Sequence, residues 1–191
     1  MTFLSSPVLL RVALPLALAA TVSPVSAQSL QKVDPAKSEI LFVSKQMGVP
    51  VQGKFKRFDA QLNFDPQHPE AGQATLSIDM GSATMGVAES DAELPKATWF
   101  NVPKFPKAQF VSSSVKALGE GRYQAVGKLN IKGQQQDLVV PFQLKPAGAA
   151  AEATGAFTIK RLDFKIGEGE WADTSMVAND VQVKFKLSLV R

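Results

Sequence analysis

The sole histidine of this 191-residue chain, His68, is the first residue to examine for chemistry, because hydrolases pair a nucleophile with a general base. It lies in the segment DPQHPE, whose prolines and polar residues are typical of a solvated turn. The chain also contains no GxSxG nucleophile elbow, no phosphate-binding glycine loop and no HExxH motif. We therefore interpret His68 as a turn residue and predict no catalytic residue.

Acidic side chains are concentrated around the segment GEGEWAD, where they could in principle bind a hard cation. The residues are Asp163, Glu168, Glu170 and Asp173. Their spacing does not match the calcium-binding loop of an EF-hand, and the chain has no cysteine for a thiolate site. We predict that they belong to a loop that caps the last strand, and that the protein has no metal site.

An export signal precedes the part of the chain that should fold. Arg11 comes just before the apolar run VALPLALAATV, and SPVSA then ends in small residues at Ala27. The run is shorter than the roughly 20 apolar residues of a spanning helix, so we predict a signal peptide over residues 1–27, cleaved after Ala27. Residues 28–191 should then form a single periplasmic domain. Basic residues are scattered apart from KFKR at residues 54–57, which argues against nucleic acid as a partner.

Alternation of apolar and polar residues dominates the rest of the chain and predicts strands. Near the end, for example, Val183, Phe185 and Leu187 alternate with lysine and serine. The segments of this character are residues 39–47, 53–64, 73–80, 108–115, 122–132, 137–144, 155–161 and 181–191. A change of phase between Phe55 and Phe58 predicts a bulge in the second segment.

The segments between these strands predict connections of different kinds. Prolines prevent a long helix in residues 81–107, so we predict a crossover loop with one or two short helices. Ser90 would cap one of them, with Glu93 three residues further on. Asp91 is interpreted as a cap or a structural hydrogen-bond acceptor. Residues 146–153 are predicted to be a longer loop between two strands.

Eight long antiparallel strands in one domain favour a closed all-β barrel over a sandwich, because closure removes exposed sheet edges. The predicted inward-facing side chains are almost uncharged, which is typical of a packed core and equally of an apolar tunnel. An outer-membrane barrel is disfavoured, since such barrels have girdles of aromatic residues and this chain has one Tyr and two Trp.

Three blocks of sequence carry a resemblance to a known family. They are SEILFVSKQMG with GKFKRFDAQLNFDP, then SDAELPKATWFNVPKFPKAQF, and finally GKLNIKGQQQDLVVPF with FTIKRLDFKIGEGEWADTSMVANDVQVKFKL. In this order they resemble the YceI-like family, secreted bacterial proteins with a lipocalin-like barrel that bind polyisoprenoids. The resemblance runs from about Val33 to Leu189. It implies a non-enzymatic carrier of a polyisoprenoid, such as an isoprenoid quinone, with transient membrane contact and no other cofactor.

The resemblance also implies which residues would contact the lipid. The tunnel-lining candidates are Ile40, Phe42, Phe58, Leu62, Phe64, Leu76, Ile78, Phe110, Leu129, Ile131, Val140, Phe142, Phe157, Ile159, Val183, Phe185 and Leu187. The candidates for the mouth or a plug are Gln46, Asp91, Leu94, Trp99 and Phe100. The family often has histidine where this chain has Gln46 and Glu93, so the head group of the ligand is open. A lipid-modifying enzyme and a packed barrel without ligand are the alternatives, and the sequence predicts no oligomeric state.

Overall fold

The computed structural model describes residues 30–65, 67–147 and 150–190, and the predicted signal peptide lies outside these residues. The strands are β1 (Leu30–Gln46), β2 (Val49–Phe55), β3 (Phe58–Phe64), β4 (Gln73–Asp79), β5 (Ala83–Thr84), β6 (Lys107–Gly119), β7 (Arg122–Ile131), β8 (Gln134–Ala147), β9 (Ala150–Lys160) and β10 (Asp180–Val190). A short helix, α1 (Ala88–Glu93), lies in the crossover between β5 and β6. Within the described residues, no helix combines the length and the apolar content needed to cross a bilayer.

The strands form a closed antiparallel barrel. They follow the order β10-β9-β8-β7-β6-β4-β3-β1, and β1 pairs with β10 to close the circle. The short β2 and β5 extend β3 and β4, since β2 pairs with β5 as β3 pairs with β4. Counted this way, eight strands surround the interior, and the predicted fold class is confirmed.

Two irregularities bend the long strands around the barrel. Lys56 and Arg57 separate β2 from β3, at the position where the sequence pattern changes phase. In β1 the register with β10 shifts between Asp34 and Glu39. Ser38 fills that gap, because its hydroxyl donates to the Asp34 carbonyl at 2.6 Å and accepts from the backbone N–H of Ser188 at 2.9 Å. These breaks let a long strand bend and so contribute to two regions of the curved barrel wall.

Two local predictions are wrong. Residues 146–153 are mostly strand, because β8 runs to Ala147 and β9 starts at Ala150. This segment is rich in alanine and therefore lacks the alternation of large apolar and polar residues that predicts a strand, yet Ala151 and Ala153 are buried members of the core. The helix α1 begins at Ala88 with Val87 at the N-cap position, so Ser90 lies inside the helix and does not cap it.

The apolar side chains form two clusters, one in each half of the barrel. The first consists of Val33, Phe64, Val115, Tyr123, Ala125, Val140, Ala151, Ala153 and Leu189. The second consists of Met80, Leu94, Phe100, Ala108, Leu129, Ile131, Ile159, Phe164 and Ile166. Only the second includes residues from the crossover loop (residues 85–106) and from the closing loop (residues 161–179), which precedes β10. We call this half the capped half and the other the strand-built half.

Candidate functional site: the barrel interior

The barrel interior is not filled by side chains. It contains a smaller cavity of about 140 Å³ in the strand-built half and a larger cavity of about 280 Å³ in the capped half. Their walls share five residues, which are Ile78, Ala108, Leu129, Phe157 and Val183. The two cavities therefore adjoin one another along the barrel.

The smaller cavity has an apolar wall contributed by strands alone. Of the predicted residues, those on its wall besides the shared ones are Ile40, Leu62, Phe64, Leu76, Phe110, Val140, Phe142, Phe185 and Leu187. Sequence reasoning missed five alanines, Ala60, Ala74, Ala108, Ala125 and Ala153, that also line it. A small side chain on an inward position leaves space that a leucine would fill, so these alanines help to create the cavity.

The larger cavity lies under the two loops. Predicted residues on its wall, besides the shared ones, are Phe42, Ile131 and Ile159 from the strands, with Gln46, Leu94, Trp99 and Phe100 from the mouth or plug set. The remaining residues on its wall were not predicted to line it; besides the shared Ala108 they are Ser44, Val51, Phe55, Met80, Met85, Ser90, Glu93, Arg161, Ile166, Trp171, Val177 and Val181. Of these, Ser44 and Arg161 continue the inward alternation of Phe42 and Ile159, a signal that was present in the sequence.

Two candidates lie away from both cavities. Phe58 packs against the apolar cluster of the strand-built half but lines neither cavity. The carboxylate of Asp91 accepts hydrogen bonds from the Thr84 hydroxyl at 2.5 Å and from the Met85 backbone N–H at 2.6 Å. These bonds lower the pKa of Asp91 and fix α1 to β5. Asp91 therefore lies on the wall of neither cavity, and its two hydrogen bonds fit the interpretation as a structural acceptor.

Three phenylalanine rings lie against glycines of the neighbouring strand. A Cβ added to Gly53 would lie 2.1 Å from Cζ of Phe42, and one added to Gly155 would lie 2.5 Å from Cζ of Phe185. Gly127 is the third, with Cε2 of Phe110 at 2.9 Å. At Gly53 the ring itself occupies the space of the missing side chain, whereas at Gly127 and Gly155 a backbone carbonyl of the other neighbouring strand or of the ring's own strand also lies within 2.4 Å of the added Cβ. The glycines thus let these rings rest against the wall and leave the centre of the barrel open.

Arg161 is 1% exposed and holds the closing loop in place through backbone carbonyls. Its Nε donates to Ala178 at 3.0 Å, Nη1 to Ile166 and Gly167 at 2.9 and 3.0 Å, and Nη2 to Trp171 and Val177 at 2.7 Å each. Burial lowers the pKa of Arg161 below its ordinary value. Its five N–H groups are matched by five carbonyls, so the guanidinium is a structural brace of the loop.

A second buried cation joins the two loops. Lys132, in the turn directly after β7, donates from Nζ to the carbonyl of Ala97 at 2.8 Å and to that of Lys165 at 2.6 Å. It also forms an ion pair with Glu168 at 2.8 Å. The crossover loop and the closing loop therefore act as one cover over the larger cavity.

Groups suited to acid–base or metal chemistry are sparse at this site. The ring of His68 is exposed, and its Nδ1 lies 3.2 Å from Oδ2 of Asp65 in a turn outside both cavities. Across the described ranges, no group of three or more histidine or acidic side chains is placed to hold a metal ion. Glu93 lines the larger cavity and pairs with Lys96. Among described residues, Ser44 Oγ and Trp99 Nε1 are buried without a hydrogen-bond partner.

The chain is similar to known proteins both in sequence and in structure. A protein of Photorhabdus laumondii is 32% identical over 125 residues, which cover 61% of this chain and 65% of that protein, so the chain spans less than two thirds of this relative. The crystal structure of Burkholderia cenocepacia BcnA is 42% identical, with a TM-score of 0.80 over 82% of this chain and 99% of that chain.

A more distant structure shares the fold. It is a polyisoprenoid binding domain from Saccharophagus degradans that is implicated in plant cell wall breakdown, 15% identical, with a TM-score of 0.66 over 85% of this chain and 99% of that one. The model of the YceI-like domain matches residues 31–189 of the present sequence, nearly the whole described part. The chain therefore belongs to the YceI-like family.

Proposed function

We propose that the protein holds a long-chain isoprenoid, such as an isoprenoid quinone, or a comparable amphiphile inside the barrel. The observation that carries this proposal is the pair of adjoining cavities, whose shared wall is formed by five apolar residues. Burial of a methylene group contributes roughly 0.8 kcal/mol, so ten such groups supply on the order of 8 kcal/mol before ordering costs. A packed structural barrel would not need this space.

The relatives support the same class of ligand. The Saccharophagus degradans protein with this fold is a polyisoprenoid binding domain. The position of the lipid tail follows from the polarity of the two cavities. The tail would occupy the smaller cavity with its apolar wall, and the polar end would lie in the larger cavity, where Gln46 and Ser44 contribute polar groups.

The proposed role is transport or sequestration without chemical conversion. His68 is the only histidine of the chain and lies outside both cavities. Two carboxylates of α1 already have partners, since Glu93 pairs with Lys96 and Asp91 accepts two hydrogen bonds. Together with the export signal expected in residues 1–27, this favours a periplasmic carrier of a lipid over a lipid-modifying enzyme.

The proposal is tested on the full chain expressed with its own leader. The protein is purified from the periplasmic fraction, extracted with organic solvent, and the extract is examined by mass spectrometry. We expect a prenyl lipid of defined mass, and we expect the stripped protein to take up geranylgeraniol unchanged. A protein that carries no lipid and takes up none would overturn the proposal, and conversion of geranylgeraniol would replace it with the enzyme.

Variants of the wall make this test specific. Phe185→Asp places an unpaired carboxylate against the smaller cavity and should abolish uptake. Because this variant could also unfold, Ala125→Met serves as a second test that fills the same cavity without a charge. Val111→Asp on the outer surface, where Val111 is 50% exposed, is the control and should leave uptake unchanged.

A further inference from the structure

Two buried polar atoms of the larger cavity have no hydrogen-bond partner. They are Oγ of Ser44 and Nε1 of Trp99, and among the residues that the structure describes they are the only buried side-chain nitrogen or oxygen atoms of this kind. Both residues lie on the wall of the larger cavity, and neither lies on the wall of the smaller one. The unpartnered atoms are therefore in the half of the barrel that is proposed to hold the polar end of the ligand.

The fold needs neither of these polar atoms. Ser44 lies at an inward position of β1 opposite Val51 of β2, where an alanine would complete an apolar wall. The ring of Trp99 packs against that of Trp171, with 5.6 Å between the ring centroids, and a phenylalanine ring could make a similar contact. A buried donor without a partner is unfavourable, so each one in a native protein requires an explanation. A polar group of a bound ligand provides that explanation.

The two loops of the cover fix the position of the Trp99 indole. The carbonyl of Thr98, the preceding residue, accepts hydrogen bonds from the backbone N–H groups of Gly167 and Glu168 at 2.8 and 2.9 Å. Trp171, against which the ring packs, also belongs to the closing loop. The indole N–H is thus held in place before a ligand binds, and a donor of this kind bonds to an acceptor at a small cost in ordering.

The types of the two atoms determine which head group can satisfy them. An indole N–H only donates, so its partner must be an acceptor, whereas a serine hydroxyl can either donate or accept. A carbonyl or hydroxyl oxygen of the ligand meets both requirements. A hydrocarbon end meets neither.

A charged head group fits this cavity poorly. Among the described residues of the wall, Arg161 is the only cation, and its five N–H groups already donate to backbone carbonyls. The wall also includes Glu93, which pairs with Lys96. A phosphate group would therefore lose its hydration without gaining a free cation, and it would share the cavity with a carboxylate.

We propose that Trp99 and Ser44 form a head-group subsite that selects an isoprenoid with an uncharged head and an oxygen acceptor, such as the carbonyl of a quinone, over a prenyl phosphate. Nε1 of Trp99 donates to that oxygen, and the hydroxyl of Ser44 makes a second hydrogen bond to the head. This inference rests on the proposed function. It assigns selection of the head group to two side chains and leaves the tail to the apolar wall.

The experiment compares three probes with the same geranylgeranyl tail in a non-ionic detergent. They are geranylgeraniol, the hydrocarbon with hydrogen in place of its hydroxyl, and geranylgeranyl phosphate. The wild type should bind the phosphate at least about tenfold more weakly than geranylgeraniol. Trp99→Phe keeps an aromatic ring and removes the N–H, so it should weaken binding of geranylgeraniol about tenfold and leave binding of the hydrocarbon unchanged.

Trp171→Phe is the matched control. It removes the neighbouring indole, which also lines the larger cavity but whose nitrogen is not one of the two unpartnered atoms. This variant should change the affinities for geranylgeraniol and for the hydrocarbon by the same factor. Since Nε1 of Trp99 has no partner among the described residues, Trp99→Phe should also keep the melting temperature of the wild type.

A spectroscopic readout on the unaltered indole completes the test. The chain has two tryptophans, so its NMR spectrum contains two indole N–H signals, and Trp171→Phe identifies that of Trp99. Geranylgeraniol should move the Trp99 proton signal downfield, as formation of a hydrogen bond does, and the hydrocarbon should not. Because this readout uses the wild type, it decides the question even if Trp99→Phe is less stable than expected.

The outcomes separate this inference from the proposed function. Equal effects of Trp99→Phe on geranylgeraniol and on the hydrocarbon, or an indole signal that geranylgeraniol does not move, would overturn the subsite and leave lipid binding intact. Binding of the phosphate as tight as that of geranylgeraniol would overturn the selection for an uncharged head. Failure of the wild type to take up either uncharged probe would instead refute the proposed function.

Discussion

The two halves of the barrel interior are held together by different kinds of interaction. The strand-built half is formed by alternating strand residues, and Phe64, Tyr123 and Phe142 pack against one another in its core, with Tyr123 5.2 Å from Phe64 and 5.3 Å from Phe142 between ring centroids. The capped half is covered by two loops, and buried cations, Arg161 and Lys132, hold those loops together. Both halves enclose a cavity, but only one depends on charged side chains.

The difference follows from how backbone polar groups are satisfied. In a sheet, each strand pairs its N–H and C=O groups with its neighbours, so the side chains are free to be apolar. Loops over a buried cavity have no such neighbours, and their carbonyls require donors from elsewhere. Arg161 and Lys132 supply those donors, at the cost of placing positive charge in the interior. The capped half should therefore be more sensitive to the loss of a polar side chain.

The largest effect is expected from Arg161→Met. This change keeps a long side chain but leaves five carbonyls of the closing loop without their donor. We expect the free energy of unfolding to fall by about 3 kcal/mol or more. Urea unfolding measures it, with Lys160→Met as the control, because the Lys160 side chain is 61% exposed. An unchanged unfolding midpoint would mean that the two halves do not differ as argued.

Lys132→Met should have a smaller effect, confined to the cover. The change removes the donor that joins Ala97 to Lys165 and leaves Glu168 without its partner. We expect the free energy of unfolding to fall by about 1–3 kcal/mol, because water can solvate the carboxylate of Glu168 once its partner is gone. Hydrogen exchange should increase at the amides of Gly167 and Glu168, which donate to Thr98 across the loops.

The strand-built half supplies the internal reference for this variant. Amides of β7 and β8 should keep their exchange rates in Lys132→Met, and Lys128→Met, at a position where the Lys128 side chain is 58% exposed, should change neither region. If exchange increased equally in both halves, the cover would not be a separate unit.

Gly53→Ala is expected to act on binding more than on stability. The atoms nearest to the new methyl group all belong to the ring of Phe42, with Cζ at 2.1 Å, so this ring, which lines the larger cavity, must move. We expect about 1 kcal/mol of destabilisation and about tenfold weaker binding of geranylgeraniol. Phe42→Leu in the same chain should restore the space and the affinity. Gly155→Ala is unsuitable as a test, because its methyl group would also meet the carbonyl of Pro141 at 2.4 Å.

The sequence predicts the strand-built half far better than the cover, for the same physical reason. The alternation of apolar and polar residues identified the eight strands, the apolar face of each strand and the break near Phe58, because one face of each strand is buried. Alternation does not reveal where an interior is empty. That property depends on alanines such as Ala153 and on the glycine at position 53, whose effect appears only when the neighbouring strand is known.

The cover was predictable only in outline. Prolines indicated a crossover loop with a short helix, and Trp99 and Phe100 were expected at the mouth or as a plug. Arg161 continues the inward phase of β9, but a charged residue at the end of a strand is usually solvated. Its partners, from Ile166 to Ala178, follow it in the chain, and nothing in their residue types indicates that their carbonyls converge.

The smallest effect on stability is expected from Ser44→Ala. This variant also tests most directly whether the capped half contains a polar group without a partner. The hydroxyl of Ser44 is buried and, among described residues, makes no hydrogen bond, whereas the hydroxyl of Ser38 on the same strand makes two. Removal of an unpaired buried hydroxyl should leave stability unchanged or raise it by up to about 1 kcal/mol, while Ser38→Ala should lower it by about that amount. If the hydroxyl serves the polar end of a lipid, Ser44→Ala should weaken binding of geranylgeraniol a few-fold at unchanged stability. A loss of stability in Ser44→Ala equal to that in Ser38→Ala would mean that the larger cavity satisfies its own polar groups and differs from the smaller one only in size.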